Sequence, residues 1–231
     1  MVNSNEIKIA TYNLNGAKHK LASTLAQARI GGVHVLYVQE LHHYNDGWHL
    51  RVRNLARSMG WDWFQSSAPR GDPGCGVAVA IRKDRSDVLV ESWSVVIPGR
   101  LIVVKAKIET ETVSLASIYL NAQPSRRKDE IKTLHAAAEI LSHTILAGDF
   151  NCVESVHRDT RSNEGANPYT NPGGRALTRA LATHGLTDIH VLVDPGLKDQ
   201  FTRCGHQTYT RIDRIYAAEY YSTWRLSLIH I

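Results

Sequence analysis

The sequence predicts an α/β (α+β) fold: a four-layer sandwich of two packed mixed β-sheets flanked by helices. Three observations lead there. Apolar, strand-like runs lie both before and after the segments with helical periodicity. Hairpin signals crowd the middle of the chain, where turns such as Pro98-Gly99 separate β-rich runs. No linker, repeat or low-complexity stretch interrupts the 231 residues, so residues 1–231 read as one domain whose two sheets share a core.

The elements follow in order. Residues 7–15 read as a buried strand, and residues 17–30 as a helix with Leu21, Leu25 and Ala28 on one face. Residues 33–41 give a second strand, and residues 48–59 a helix closed by Gly60. Strands are then expected at residues 61–66, 77–82, 88–97, 101–108 and 113–121. Pro124 and Ser125 open a helix running to about residue 141, with Arg126, Arg127, Lys128 and Lys132 in its first turns as a solvated face. Residues 144–150 form a strand, and a long polar stretch from 152 to 174 follows. A loop of that length inside a compact domain tends to be functional. A helix at residues 175–184 is stopped by Gly185, and further strands are expected at residues 188–193, 200–203, 209–216 and 222–229.

Composition narrows the function classes. The hydrophobic fraction is 43% and the charged fraction 21%, which suits a globular domain and no fibrous or disordered one. No stretch has the roughly 18 uninterrupted apolar residues of a membrane span, and the amino terminus does not read as a secretory signal. The three cysteines are odd in number and widely spaced, which points to a reduced, intracellular protein rather than a disulfide framework. A net charge of +5 leans towards a polyanionic partner.

Four patches at strand ends carry the chemistry. Asn13 and Asn15 lie two apart, hence on one side of an extended chain, before Gly16; an Asn-Gly turn is the competing reading. Glu40 closes an apolar strand, where a carboxylate is costly unless it is paired or binds a hard cation. His42 and His43 would suit zinc or copper, but no further His or Cys stands at ligand spacing. In Gly148-Asp149-Phe150-Asn151 a strand delivers an acid and an amide on one side: one can accept a proton from water, the other can donate to a phosphate oxygen. In Tyr209-Thr210-Arg211-Ile212-Asp213, an unbroken strand would put Tyr209, Arg211 and Asp213 on one face and Ile212 and Arg214 on the other. Asp213 then reads either as an acid in a cleft or as half of a salt bridge.

The order of these patches, with Ile118-Tyr119-Leu120-Asn121 between them, resembles the endonuclease/exonuclease/phosphatase superfamily. Within it, the pattern is most similar to the apurinic-like endonuclease domains of non-LTR (LINE-type) retrotransposons, which tend to carry Asn at the position of Asn15. The resemblance implies that Glu40, helped by Asn13, holds Mg²⁺ (or Mn²⁺), and that Asp149 positions or deprotonates the attacking water. It implies that Asn151 and Tyr119 bind the scissile phosphate and that Asp213 orients a histidine. Asn15, His42, Asn121, Thr202 and Thr210 become substrate contacts. The implied reaction is DNA nicking that leaves a 3′-hydroxyl for reverse transcription, in the nucleus, beside a reverse transcriptase domain of the same parent polypeptide. One departure is plain. The family's Ser-Asp-His does not follow Asp213, His230 lacks the Ser-Asp before it, and the chain is expected to be truncated at its C-terminus. Two alternatives stand beside this reading: an abasic-site repair endonuclease or other phosphatase of the same superfamily, and an inactive nucleic-acid-binding fragment.

Overall fold

The computed structural model describes residues 6–42, 46–69, 72, 74–137, 141, 143–162, 172–193, 201–205, 208–218, 221 and 225–230. Two large mixed sheets stack face to face. The first contains β1 (Glu6–Asn13), β2 (Val35–Gln39), β3 (Trp61–Ser66), β4 (Val77–Arg82) and β14 (Arg225–His230), in the order β14-β1-β2-β4-β3. The second contains β5 (Val88–Ile97), β6 (Leu101–Ile108), β7 (Glu111–Tyr119), β8 (Thr144–Asp149), β10 (Leu186–Asp188) and β13 (Asp213–Ala218), in the order β10-β13-β8-β7-β6-β5.

The period-two alternation of side chains explains the layers. On β2, Val35 and Tyr37 enter the core between the sheets, while Leu36 and Val38 face outward under α1 (Lys20–Ile30) and α2 (Asp46–Ser58). On β6, Ile102, Val104 and Ala106 fill the central core, whereas Leu101 and Val103 meet α3 (Pro124–Ala136) and α5 (Gly174–Thr183). Three apolar layers therefore lie between four structural ones, as the patterning predicts. Buried Gln39 stitches the sheets together below the rim: it accepts from Thr11 Oγ1 (3.1 Å) and its Nε2 donates to Ser117 Oγ (3.3 Å).

Topology sets the functional rim. β1 runs parallel to β2, and β7 parallel to β8, so each pair ends at one edge of its sheet. β13 runs antiparallel to β8 with Asp213 opposite Asp149, so its first residue meets the last residue of β8.

Several expectations need correction. Residues 189–193 are not a strand: after Asp188, which ends β10, the chain turns into α6 (Ile189–Val193), where Asp188 Oδ1 accepts the His190 N–H (3.1 Å) and so favours a helical turn over an extended chain. Residues 209–216 are two strands, not one. β12 (Thr208–Thr210) joins β9 (Thr160–Ser162) and β11 (Arg203–Cys204) in a third, three-stranded sheet, and the chain enters the second sheet only at Asp213. Arg211 and Ile212 lie between strands, so the expected facing of residues 209–214 does not hold: Arg211 and Arg214 reach the same carboxylate. α3 stops at Ala136, short of residue 141. The polar stretch from 152 to 174 contains α4 (Val156–Asp159) and β9; residues 163–171 within it lie outside the described residues.

Candidate active site

Five strand ends deliver the cluster. Asn13 ends β1, Glu40 follows β2, Tyr119 ends β7, Asp149 ends β8 and Asp213 begins β13. The Asn13 amide is the hub: its Nδ2 donates to Glu40 Oε1 (2.8 Å) and to Asp149 Oδ2 (3.0 Å), while its Oδ1 accepts the Asn15 N–H (2.8 Å). His42 Nε2 lies 3.1 Å from Glu40 Oε2. Burial, then the charges of Glu40 and Asp149, push the Tyr119 hydroxyl well above its usual range. Asp149 Oδ1 accepts the backbone N–H of Asn151 (2.7 Å), whose side-chain Nδ2 donates to the Leu120 carbonyl (2.8 Å).

Backbone conformation marks the same place. Among the described residues, positive φ at non-glycine positions occurs at Asn15, Glu40, His42, Asn151, Glu109 and His143, and the first four surround the cluster. Asparagine visits this region at low cost; a glutamate does so only where its surroundings hold it there. Close packing adds a steric rule. Gly148 adopts φ +150°, and a Cβ there would stand 1.9 Å from the Ile118 carbonyl oxygen, so only glycine lets β7 and β8 approach where Asp149 emerges.

Electrostatics agree with the geometry. Burial, then the charge of Asp213 and that of Glu40, push the Asp149 carboxyl well above the usual range, against the bonds from Asn151 and Asn13. Burial likewise raises Asp213, with Glu40 adding to the shift and Thr202 opposing it. Asp213 Oδ1 is buried without a hydrogen-bond partner. Three acids thus crowd one rim, the circumstance in which a cation or a proton is most stabilising. Among the described residues, no three His, Cys, Asp or Glu side chains form a ready-made metal cage. The donor set still fits a hard divalent ion of the magnesium kind, which takes one or two carboxylates and fills its other positions with water and substrate phosphate. For Asn13 to offer its oxygen to such an ion, its amide would have to turn away from Asn15.

The remaining expected contacts are placed as follows. Asn15 is exposed at the rim. Asn121 is nearly buried and its Oδ1 accepts the Gln123 N–H (2.9 Å), committing its carbonyl to the turn before α3. Thr202 Oγ1 accepts the N–H groups of Ile212 (3.1 Å) and Asp213 (3.0 Å), so it braces the start of β13. Thr210 is buried in the third sheet, where its carbonyl accepts the Thr202 N–H (3.0 Å). His43 lies outside the described residues.

Sequence reasoning missed the groups behind the rim. Asp159 and Arg214 are fully buried and paired (3.1 Å), Arg211 bridges Asp159 (2.8 Å) and Asp188 (2.7 Å), and Arg158 joins them from α4. The salt bridge weighed for Asp213 is not among the ion pairs of the described residues; Arg211 forms ion pairs instead, with partners 52 and 23 positions before it in the chain, which no local pattern announces. Arg127, expected on a solvated face, is instead buried and donates to the carbonyls of Asn121, Ala122 and Pro172.

A two-sheet sandwich with amides and acids gathered at its strand ends is an arrangement suited to the chemistry of phosphate esters. The family model described as Endonuclease/Exonuclease/phosphatase family matches residues 10–227, and the chain belongs to that family. It is 27% identical over 227 residues to the Xenopus laevis Transposon TX1 uncharacterized 149 kDa protein; the match takes in 93% of this chain but only 16% of that protein. Among solved structures, it resembles the endonuclease domain of TRAS1, a telomere-specific non-LTR retrotransposon (TM-score 0.61, 19% identity, 90% of this chain and 84% of that one). It also resembles an AP endonuclease from Archaeoglobus fulgidus (TM-score 0.70, 18% identity, 93% and 87%).

Proposed function

We propose that this chain is a divalent-metal-dependent endonuclease that nicks DNA for a non-LTR retrotransposon and leaves a 3′-hydroxyl. The observation that supports it most is the bridge of Glu40, Asn13 and Asp149, made by residues up to 136 positions apart in sequence. The sequence relationship to a transposon protein favours the retroelement setting over repair. Glu40, with Asn13, would hold the ion, Mg²⁺ or Mn²⁺, which when bound neutralises charge on the phosphate oxygens.

The chain's own groups supply the rest. Asp149, with one oxygen fixed by the Asn151 N–H, accepts the proton of the attacking water, a form of catalysis worth roughly 10²–10⁴-fold. Tyr119 and Asn151 present donors to the phosphate as negative charge builds on it. Asp213 keeps a buried acceptor at the rim for a proton-bearing partner. In this reading DNA is the substrate, a reverse transcriptase belongs to the same parent polypeptide, and the chain acts in the nucleus.

The test compares supercoiled plasmid with a duplex containing one abasic site. Nicks in the plasmid whose 3′ ends a polymerase extends support the proposal. A large preference for the abasic duplex would favour a repair enzyme, and DNA binding without nicking at any divalent-ion concentration would favour an inactive binding fragment.

A further inference from the structure

Arg100 is almost fully buried at the turn between β5 and β6, where a cation has to be justified by its partners. Its backbone carbonyl accepts the Tyr119 N–H (2.8 Å), and its guanidinium carbon stands 4.8 Å from the centre of the Tyr119 ring. Two carboxylates hold the guanidinium on that face. Asp72, whose backbone N–H donates to the Pro69 carbonyl, pairs with one terminal nitrogen, and Glu130, from α3, lies 3.5 Å from Nε. The other oxygen of Glu130 accepts the Asn121 N–H (2.6 Å), so the same acid fixes the segment just after Tyr119. The remaining terminal nitrogen is buried without a partner.

This arrangement is more than a surface ion pair. A tyrosine hydroxyl lies on the axis of the second side-chain bond, so its position is set by the first side-chain torsion and by the tilt of the whole ring, both of which a group packed on the ring face restrains. Here the hydroxyl stands at the rim, where the charges of Glu40 and Asp149 act on it. We infer that Arg100 is a positioning residue: its planar guanidinium, clamped by Asp72 and Glu130, fixes the tilt of Tyr119 and so the placement of its hydroxyl beside Glu40. The inference rests on the nuclease reading for its consequence in catalysis, but the placement stands on this geometry. It also ties Asp72 to the rim through Arg100. Lysine cannot substitute, since a single ammonium neither stacks flat on a ring nor reaches two carboxylates in a fork.

The experiment is plasmid nicking by Arg100→Lys in the wild-type and in the Tyr119→Phe background. In the wild-type background kcat falls on the order of tenfold with KM unchanged, as expected of a misplaced group. In the Tyr119→Phe background, where no hydroxyl remains to be placed, the same change costs nothing further. Equal losses in both backgrounds, or an unchanged kcat, overturn the inference. Should Arg100→Lys fail to fold, Asp72→Asn loosens the clamp from outside and gives a smaller loss with the same dependence on Tyr119; equal losses in both backgrounds again overturn it. If the wild-type chain does not nick DNA, the nuclease reading fails, and NMR of ¹³C-labelled tyrosine decides the placement separately. Ring resonances of Tyr119 then shift or average in Arg100→Lys while those of Tyr37 and Tyr216 stay put, and an unmoved Tyr119 overturns the inference.

Discussion

Glu40 sits at φ +54°, a conformation that costs a non-glycine residue of order 1–3 kcal/mol and persists only where neighbours impose it. Asn13 and His42 both bond its carboxylate, which explains how the strain is held. Glu40→Gln keeps the shape and removes the charge. Its nicking rate is expected to drop at least about a hundredfold with little change in thermal midpoint, as activity assays and calorimetry would show. Gly148→Ala is expected to act the other way: a methyl group driven into the Ile118 carbonyl displaces β7 from β8, so denaturant unfolding should show a loss of at least about 2 kcal/mol, with activity lost alongside. At this scale the sequence was informative about identity and silent about geometry. Asp149 and Asn151 are legible because a strand ends in an acid and an amide two apart. Arg100 is not, because its role depends on three segments that only the fold brings together.

Among the elements, β13 bears the heaviest structural demand: it begins with Asp213 and is braced by the buried Asp159–Arg211–Arg214–Asp188 group. Burial alone would raise the Asp159 carboxyl, but the hydrogen bond from Arg158 and the charges of Arg214 and Arg211 hold it down at about 2. A carboxyl held below its unfolded value stabilises the fold fully above about pH 4 and loses that contribution as the pH falls towards 2. Asp159→Asn leaves two arginines buried against a neutral partner and is expected to cost about 3–5 kcal/mol at neutral pH. Its acid unfolding curve should be flatter than the wild type's below pH 4. The strands at 61–66, 77–82, 88–97 and 101–108 follow the sequence-based boundaries because alternation and flanking turns specify them locally. The 188–193 and 209–216 segments differ because a side-chain cap and a change of sheet decided them, and neither leaves a periodic trace.

For the molecule as a whole, the four layers were readable because the central strands β2, β4, β7 and β8 carry two apolar faces, one for the shared core and one for a helix. The third sheet was not, since strands of two or three residues give no period to detect. Stability should fall on acidification in a second window. Burial, reinforced by Arg85 and Arg82, lowers His34 to about 4, so between about pH 6.5 and 4 the unfolded chain takes up a proton that the folded chain refuses. The thermal midpoint is expected to drop across that window, and His34→Gln should remove part of the slope. With a net charge of +5, DNA binding is expected to weaken steeply with added salt.

The most direct measurement is the initial rate of plasmid nicking by the wild-type chain, by Glu40→Gln and by Asp149→Asn, each with Mg²⁺ or Mn²⁺ and again after chelation. The account predicts nicking by the wild-type chain alone, abolished by the chelator and restored by the ion. Undiminished nicking in both variants, or nicking indifferent to the chelator, would contradict it.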